Sequence, residues 1–221
     1  MSNDGWTRSH RDPSIPGDDL ISIYSIGHSN HSLARFLQLL ATHSIEVVAD
    51  VRSVPASSRS PHFNQSTLAA ELPSVGKKYL FMGQQLGGRP ADPSFYDPEG
   101  YVLYEKLAKS QSFGDGIERI CKGAQKYRVA LLCSEEDPLA CHRQLLIGRV
   151  LTDQGLELLH IRADGSVQPA RDIQIPTETH QMALFEARST KGSWRSPKPL
   201  WRIPDERLYD RLHPKERAPV F

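Results

Sequence analysis

A chain of 221 residues with 38% hydrophobic and 24% charged residues is long enough to bury a real core, and none of its apolar runs approaches the length of a membrane span. The formal net charge of +1 excludes a protein that is basic or acidic throughout. The distribution is uneven: residues 188–221 carry nine Lys/Arg against four Asp/Glu, so a slightly acidic body ends in a basic tail. Cys121, Cys133 and Cys141 are an odd number without framework spacing, and residues 1–19 lack the apolar segment of a secretory signal. A cytoplasmic protein with reduced thiols and no membrane partner is therefore expected.

In chain order, residues 1–19 are rich in Ser, Asp, Gly and Pro and read as a flexible leader. Residues 20–26 (LISIYSI) alternate as a strand and stop at Gly27-His28-Ser29. Ser32 is placed to cap a helix whose apolar residues Leu33, Phe36, Leu37, Leu39 and Leu40 follow helical spacing. Residues 45–51 (IEVVADV) give a second buried strand, so a βαβ unit with parallel strands opens the domain. Residues 53–63, full of Ser, Pro and Arg, read as an ordered loop. A short helix at 65–72, a strand at 78–82, a polar stretch through Gly87-Gly88-Arg89 and helices over 101–108 and 113–126 come next.

The apolar run 129–133 (VALLC) then predicts a central strand, followed by the acidic turn 134–137 and Pro138. Asp at the cap and Pro at the first position start a helix, which places Cys141, His142 and Arg143 in its first turn and Leu145, Leu146, Ile147, Val150 and Leu151 on its apolar face. A strand at 156–161, a turn at Asp164-Gly165, an edge strand at 173–175 and an amphipathic helix at 179–188 complete the domain. The expected organisation is a leader (1–19), one compact α/β domain (20–188) with a layered, mainly parallel sheet flanked by helices, and a basic extension (189–221).

In such sheets ligands bind beyond the carboxyl ends of the strands. The polar residues fall there: His28 and Ser29 after the first strand, Asp50 and Arg52 after the second, Gly87, Gly88 and Arg89 after the third, Glu135 after the fourth. A thiol, an imidazole and a guanidinium at a helix start favour anions and a depressed thiol pKa. The expected catalytic residues are His28, Asp50, Glu135, Cys141 and His142, and the expected substrate-binding residues are Ser29, Arg52, Gly87, Gly88, Arg89 and Arg143. Cys133 reads as a packed thiol. No cofactor and no metal are expected, because the Cys133, Cys141, His142 spacing is not that of a zinc finger or ribbon and adjacent helix residues diverge.

The segments Ser25-Ile26-Gly27-His28-Ser29, Asp50-Val51-Arg52 with Pro55 and Ser57, Leu86-Gly87-Gly88-Arg89, and Leu132-Cys133 through Glu135 and Asp137-Pro138 to Cys141-His142-Arg143 resemble domain-of-unknown-function family number 488. The resemblance spans about residues 21–161 and implies a compact cytosolic α/β domain with a shared pocket, without naming a reaction. From the residues, the leading expectation is a hydrolytic enzyme acting on a phosphate-bearing substrate, a nucleotide or nucleic acid. Arg52, Arg89 and Arg143 would hold the anion, Glu135 or Asp50 would act as base, and His28 or His142 as proton donor. Two alternatives stand beside it: thiol chemistry with Cys141 as nucleophile, and a non-catalytic nucleotide or nucleic-acid binding module with the tail as a clamp. The tail is otherwise expected to dock on the acidic body or on a second subunit of a homodimer through Trp194, Leu200 and Trp201.

Overall fold

Strands whose two faces are both apolar must be covered on both sides, and that requirement sets the architecture. The computed structural model describes residues 21–173 and 194–200. Six strands, β1 (Ser22–Gly27), β2 (Val47–Asp50), β3 (Lys78–Phe81), β4 (Val129–Cys133), β5 (Glu157–Ile161) and β6 (Val167–Pro169), form one sheet in the order β3-β2-β4-β1-β5-β6. The first five pair in parallel and β6 pairs antiparallel with β5. Successive residues of the central strands divide cleanly between two cores. Ile23, Val47, Ala49, Val129 and Leu131 enter one; Tyr24, Ile26, Val48, Ala130 and Leu132 enter the other.

Helices α1 (Leu33–Thr42) and α2 (Gln65–Ser74) cover the second core with Phe36, Leu39, Leu40, Leu68 and Leu72. The first core lies under α3 (Gly83–Leu86), α4 (Tyr104–Ala108), α5 (Gln111–Ala124), a π-helix (Arg143–Gly148) and α6 (Arg149–Asp153) that continues it. The protein is thus a single compact α/β domain of three layers. Each fully buried Leu, Ile or Phe contributes about 1.5–3 kcal/mol of hydrophobic stabilisation. Ser32 caps α1, its hydroxyl accepting from the Arg35 N–H at 3.2 Å.

Several expectations need correction. The polar stretch after β3 holds a helical turn, α3, because Leu86 is drawn into the core. The edge strand is β6, where its backbone can pair with β5 after the Asp164-Gly165 turn. Ile173 instead follows a 3-10 turn (Ala170–Asp172), and positions 174 and 175 lie outside the described residues. The leader and the expected helix at 179–188 also lie outside them.

The largest correction concerns the segment after β4. Asp137 does cap a turn, accepting from the Leu139 N–H at 2.9 Å, with Pro138 at its first position. That turn is a 3-10 helix of three residues (Pro138–Ala140) and no more. Cys141 then adopts an extended conformation (φ −131°, ψ 140°), and helix resumes only at the π-helix. Cys141 therefore occupies a break between two helical pieces, and His142 and Arg143 stand at the start of the second piece.

In the described part of the tail, Trp194 donates from Nε1 to the Leu145 carbonyl (2.7 Å) and stacks beneath the Arg149 guanidinium. Trp194 and Leu200 pack on the first core, and Arg195 pairs with Asp97 (2.9 Å) and Glu99 (3.2 Å). This segment docks on the body of its own chain. Trp201 lies outside the described residues.

Candidate active site

Parallel pairing of β1 with β4 brings Gly27 level with Cys133, and the pairing continues past the strands. His28 N–H donates to the Cys133 carbonyl and Ser29 N–H to the Ser134 carbonyl, both at 2.9 Å. The loop after β4 then folds directly over Gly27, so closely that a Cβ there would lie 1.8 Å from the Glu135 carbonyl oxygen. Only glycine permits this approach. Arg143, wholly buried, props the loop from beneath by donating from Nη1 to the Glu135 carbonyl and from Nη2 to the Glu136 carbonyl.

The loop and the helix break converge on Cys133. Its Sγ lies 3.2 Å from Glu135 Oε2 and 3.7 Å from His142 Nδ1. Cys141 Sγ is 3.8 Å from the same Nδ1, and the two sulfurs and that nitrogen all lie within 4.8 Å of one another. His142 Nε2–H donates to the Val51 carbonyl at 3.0 Å, which fixes the ring and turns Nδ1 toward the sulfurs. In an unbroken α-helix, neighbouring side chains are about 100° apart. The extended conformation of Cys141 removes that divergence, so the two adjacent residues face the same partner.

Burial and charge polarise this group. A hydrogen bond from the Cys141 thiol lowers the Cys133 pKa most; His142 and Arg143 lower it further against the opposing effect of burial, leaving it well below the ordinary thiol value. Burial and the neighbouring Cys133 sulfur raise Cys141 well above it. For His142, burial favours the neutral ring, but Cys133, the Val51 carbonyl and Glu135 outweigh it and the pKa is raised. Burial and Cys133 raise Glu135. The two thiols are thus polarised in opposite senses, Cys133 toward thiolate and Cys141 toward thiol, while the same neighbours favour the charged ring of His142. The sequence singled out Cys141 as nucleophile and Cys133 as packing; the electrostatics reverse that order.

A pocket of about 460 Å³ opens onto these residues. Of the expected site residues, Arg52, Gly88, Arg89, Glu135, Cys141 and His142 line it, together with Cys133, Tyr104 and Lys198, which sequence reasoning did not place there. Tyr104 carried no signal beyond an apolar helix position, and Lys198 arrives only because Trp194 and Leu200 dock the tail segment. Among the described residues, Glu135 is the one carboxylate in this lining, against the cations Arg52, Arg89 and Lys198.

The other expected residues sit beside the pocket without lining it. Asp50 is fully buried, and its two oxygens take Arg52 Nε (2.8 Å), Arg52 Nη2 (2.5 Å) and the Tyr79 hydroxyl (2.7 Å). No oxygen of Asp50 is free to act as a base in the pocket, which leaves Glu135. Arg52 Nη2 also donates to the Phe63 carbonyl (2.8 Å), so the guanidinium is held rigidly at the pocket edge. His28 stacks on Phe63 (4.4 Å between ring centres) and donates from Nδ1 to the Ser29 carbonyl, and burial lowers its pKa. Ser29 is half-buried beside it. Gly87 ends α3 against Ser53. Arg143 faces the loop carbonyls and does not reach the pocket, which corrects its expected place among the anion ligands.

Gly88 packs on the face of His142: a Cβ there would lie 2.7 Å from the imidazole Cγ. Gly88→Ala should push the ring off the Val51 carbonyl at a cost of about 1–3 kcal/mol. Histidine NMR is the measurement: the His142 ring resonances should shift while the strand amides of β4 and β5 stay in place. Unmoved His142 resonances would refute the contact.

A family model described as "Domain of unknown function DUF488" matches residues 32–150, more than half of the chain. The match includes α1, β2, the Gly88-Arg89 loop, Cys133, Glu135, the break at Cys141 and the helix start at His142-Arg143. No curated protein and no solved structure matches the chain. With the loops after β2, β3 and β4 contributing to one pocket, and all three inside the matched region, the chain belongs to the DUF488 family.

Proposed function

We propose that this chain is an enzyme that uses Cys133 as a nucleophile on a phosphate-bearing substrate, of which a nucleotide or nucleic acid is the class that suits the pocket best. The single observation that carries this reading is the placement of Cys133 Sγ on the pocket wall, 3.7 Å from a His142 Nδ1 that is aimed by the Val51 carbonyl. Arg52, Arg89 and Lys198 supply the charge that would hold the phosphate, with Arg52 fixed in direction by its two bonds to Asp50. In the reaction, the Cys133 sulfur bonds to the electrophilic centre, and the leaving group departs with the proton from His142 Nδ1. Water, deprotonated by Glu135, then breaks the sulfur–substrate bond and restores the thiolate.

Alkylation tests the nucleophile without knowledge of the substrate. Reduced protein treated with iodoacetamide at mildly acidic pH, then mapped by mass spectrometry, should carry the label on Cys133 at least about tenfold faster than on the more accessible Cys121. Inorganic phosphate or a nucleotide should slow the labelling by occupying the cationic side of the pocket. Faster labelling of Cys121 or Cys141 would rule out Cys133 as the activated thiol. A screen of nucleotides with wild type and Cys133→Ser then asks for turnover that the variant lacks.

A further inference from the structure

The three atoms that surround one another at the helix break are two sulfurs and an imidazole nitrogen, a donor set with a second use. Tetrahedral zinc with bonds of about 2.3 Å to sulfur and 2.0 Å to nitrogen requires sulfur–nitrogen separations of about 3.6 Å. The protein holds His142 Nδ1 at 3.7 Å from Cys133 Sγ and 3.8 Å from Cys141 Sγ. We propose that Cys133, Cys141 and His142 form a binding site for a soft divalent cation, zinc above all, and that its occupation switches off Cys133 as a nucleophile. The binding stands on geometry alone; the inhibition rests on the function proposed above.

Four features of the surroundings favour a metal there. The Val51 carbonyl accepts from His142 Nε2, the outer contact that fixes a ligating ring with its other nitrogen free for the ion. The Arg143 backbone N–H points at Cys141 Sγ (3.5 Å), a bond that stabilises a coordinated thiolate. Two thiolates balance a divalent charge, so the buried complex carries no net charge of its own. All three ligands also line the pocket, which leaves the fourth position to water or to Glu135. Sulfur and imidazole together select zinc, cobalt or copper over magnesium and calcium. The sequence argued against a metal from spacing and from the divergence of adjacent helix residues, and the extended Cys141 cancels the second argument.

Cobalt is the probe. Reduced full-length protein, stripped of metal under anaerobic conditions, should take up one equivalent of cobalt(II). It should then show the intense visible bands of a four-coordinate ion and a near-ultraviolet sulfur-to-cobalt band, both erased by zinc(II). Cys141→Ser should weaken zinc by about 100-fold or more, and Cys121→Ser should change nothing. One equivalent of zinc should also suppress iodoacetamide labelling of Cys133, and a chelator should restore it. Absence of cobalt bands in the wild type would overturn the site, whether or not the Cys141 variant folds. Bands unaltered in a folded Cys141→Ser protein would overturn it too. Cobalt bands in a protein whose metal-free Cys133 proves unreactive would remove the nucleophile and leave the metal site standing.

Discussion

Arg143→Leu is expected to destabilise the protein by about 3–5 kcal/mol, the range for breaking a buried charged contact from one side. The side chain is fully buried, and its two terminal nitrogens are the donors that satisfy the Glu135 and Glu136 carbonyls above Gly27. Leucine fills much of the volume but leaves both carbonyls without these partners, at about 1–3 kcal/mol each. Arg143→Lys should recover part of the loss, since an ammonium can reach one carbonyl but lacks the fork that spans two. Urea unfolding followed by circular dichroism gives the comparison. A Leu variant within about 1 kcal/mol of wild type would mean that the loop holds its shape without the guanidinium. The same substitution should also slow alkylation of Cys133, because Arg143 is one of the charges that lower its pKa.

Acid should unfold the protein through His160. This ring is fully buried, with Ser25 Oγ–H donating to Nδ1 at 2.5 Å and Nε2–H donating to Gln144 Oε1 at 2.8 Å. Burial first, then the nearby Arg143 and Arg162, lower its pKa to about 3. Because the folded-state value lies below the unfolded one, the unfolded chain takes up the proton first as pH falls. This contribution is fully favourable above the ordinary histidine value of about 6.5 and is lost between there and pH 3, at about 1.4 kcal/mol per pH unit. His160→Gln keeps an acceptor and a donor but does not titrate. Its stability should be lower near neutrality and should fall less steeply than wild type below pH 6. Parallel profiles for the two proteins would show that His160 is not the acid-sensitive group.

The strands and the capped helix α1 were legible because each rests on a local pattern: continuous apolar runs in residues 45–51 and 129–133, helical spacing from Leu33 to Leu40, and a serine in cap position. The grouping of polar residues beyond the strand ends was legible for the same reason, since strand direction alone sends those loops to one edge. Division of labour inside the group was not. Whether Arg52 meets substrate or Asp50 depends on a two-residue offset at a strand end, and both Asp50 and Arg52 are equally polar in sequence. Arg143 looked like an anion ligand because exposed arginine is the common case; its burial follows from the loop that crosses Gly27, a contact 116 positions away. Cys133 looked like packing because strand-end cysteines usually are, and only the third dimension puts an imidazole beside it.

The π-helix from Arg143 to Gly148 has a consequence for how this pocket can change over time. A π turn accommodates one residue more than an α turn, so this segment holds one residue beyond a regular helix. Removing one residue between Arg143 and Gly148 would let the segment close into regular α-helix continuous with α6. The residues just before it, from Cys141 to Arg143, would turn by about 100° relative to α6. His142 would leave the Val51 carbonyl and Cys141 would leave Cys133, while α6 and the strands kept their places. The polar centre and the hydrophobic scaffold are thus separable by one codon. A lineage could lose the chemistry in one step, at the cost of the contacts that Arg143 makes with the Glu135 and Glu136 carbonyls.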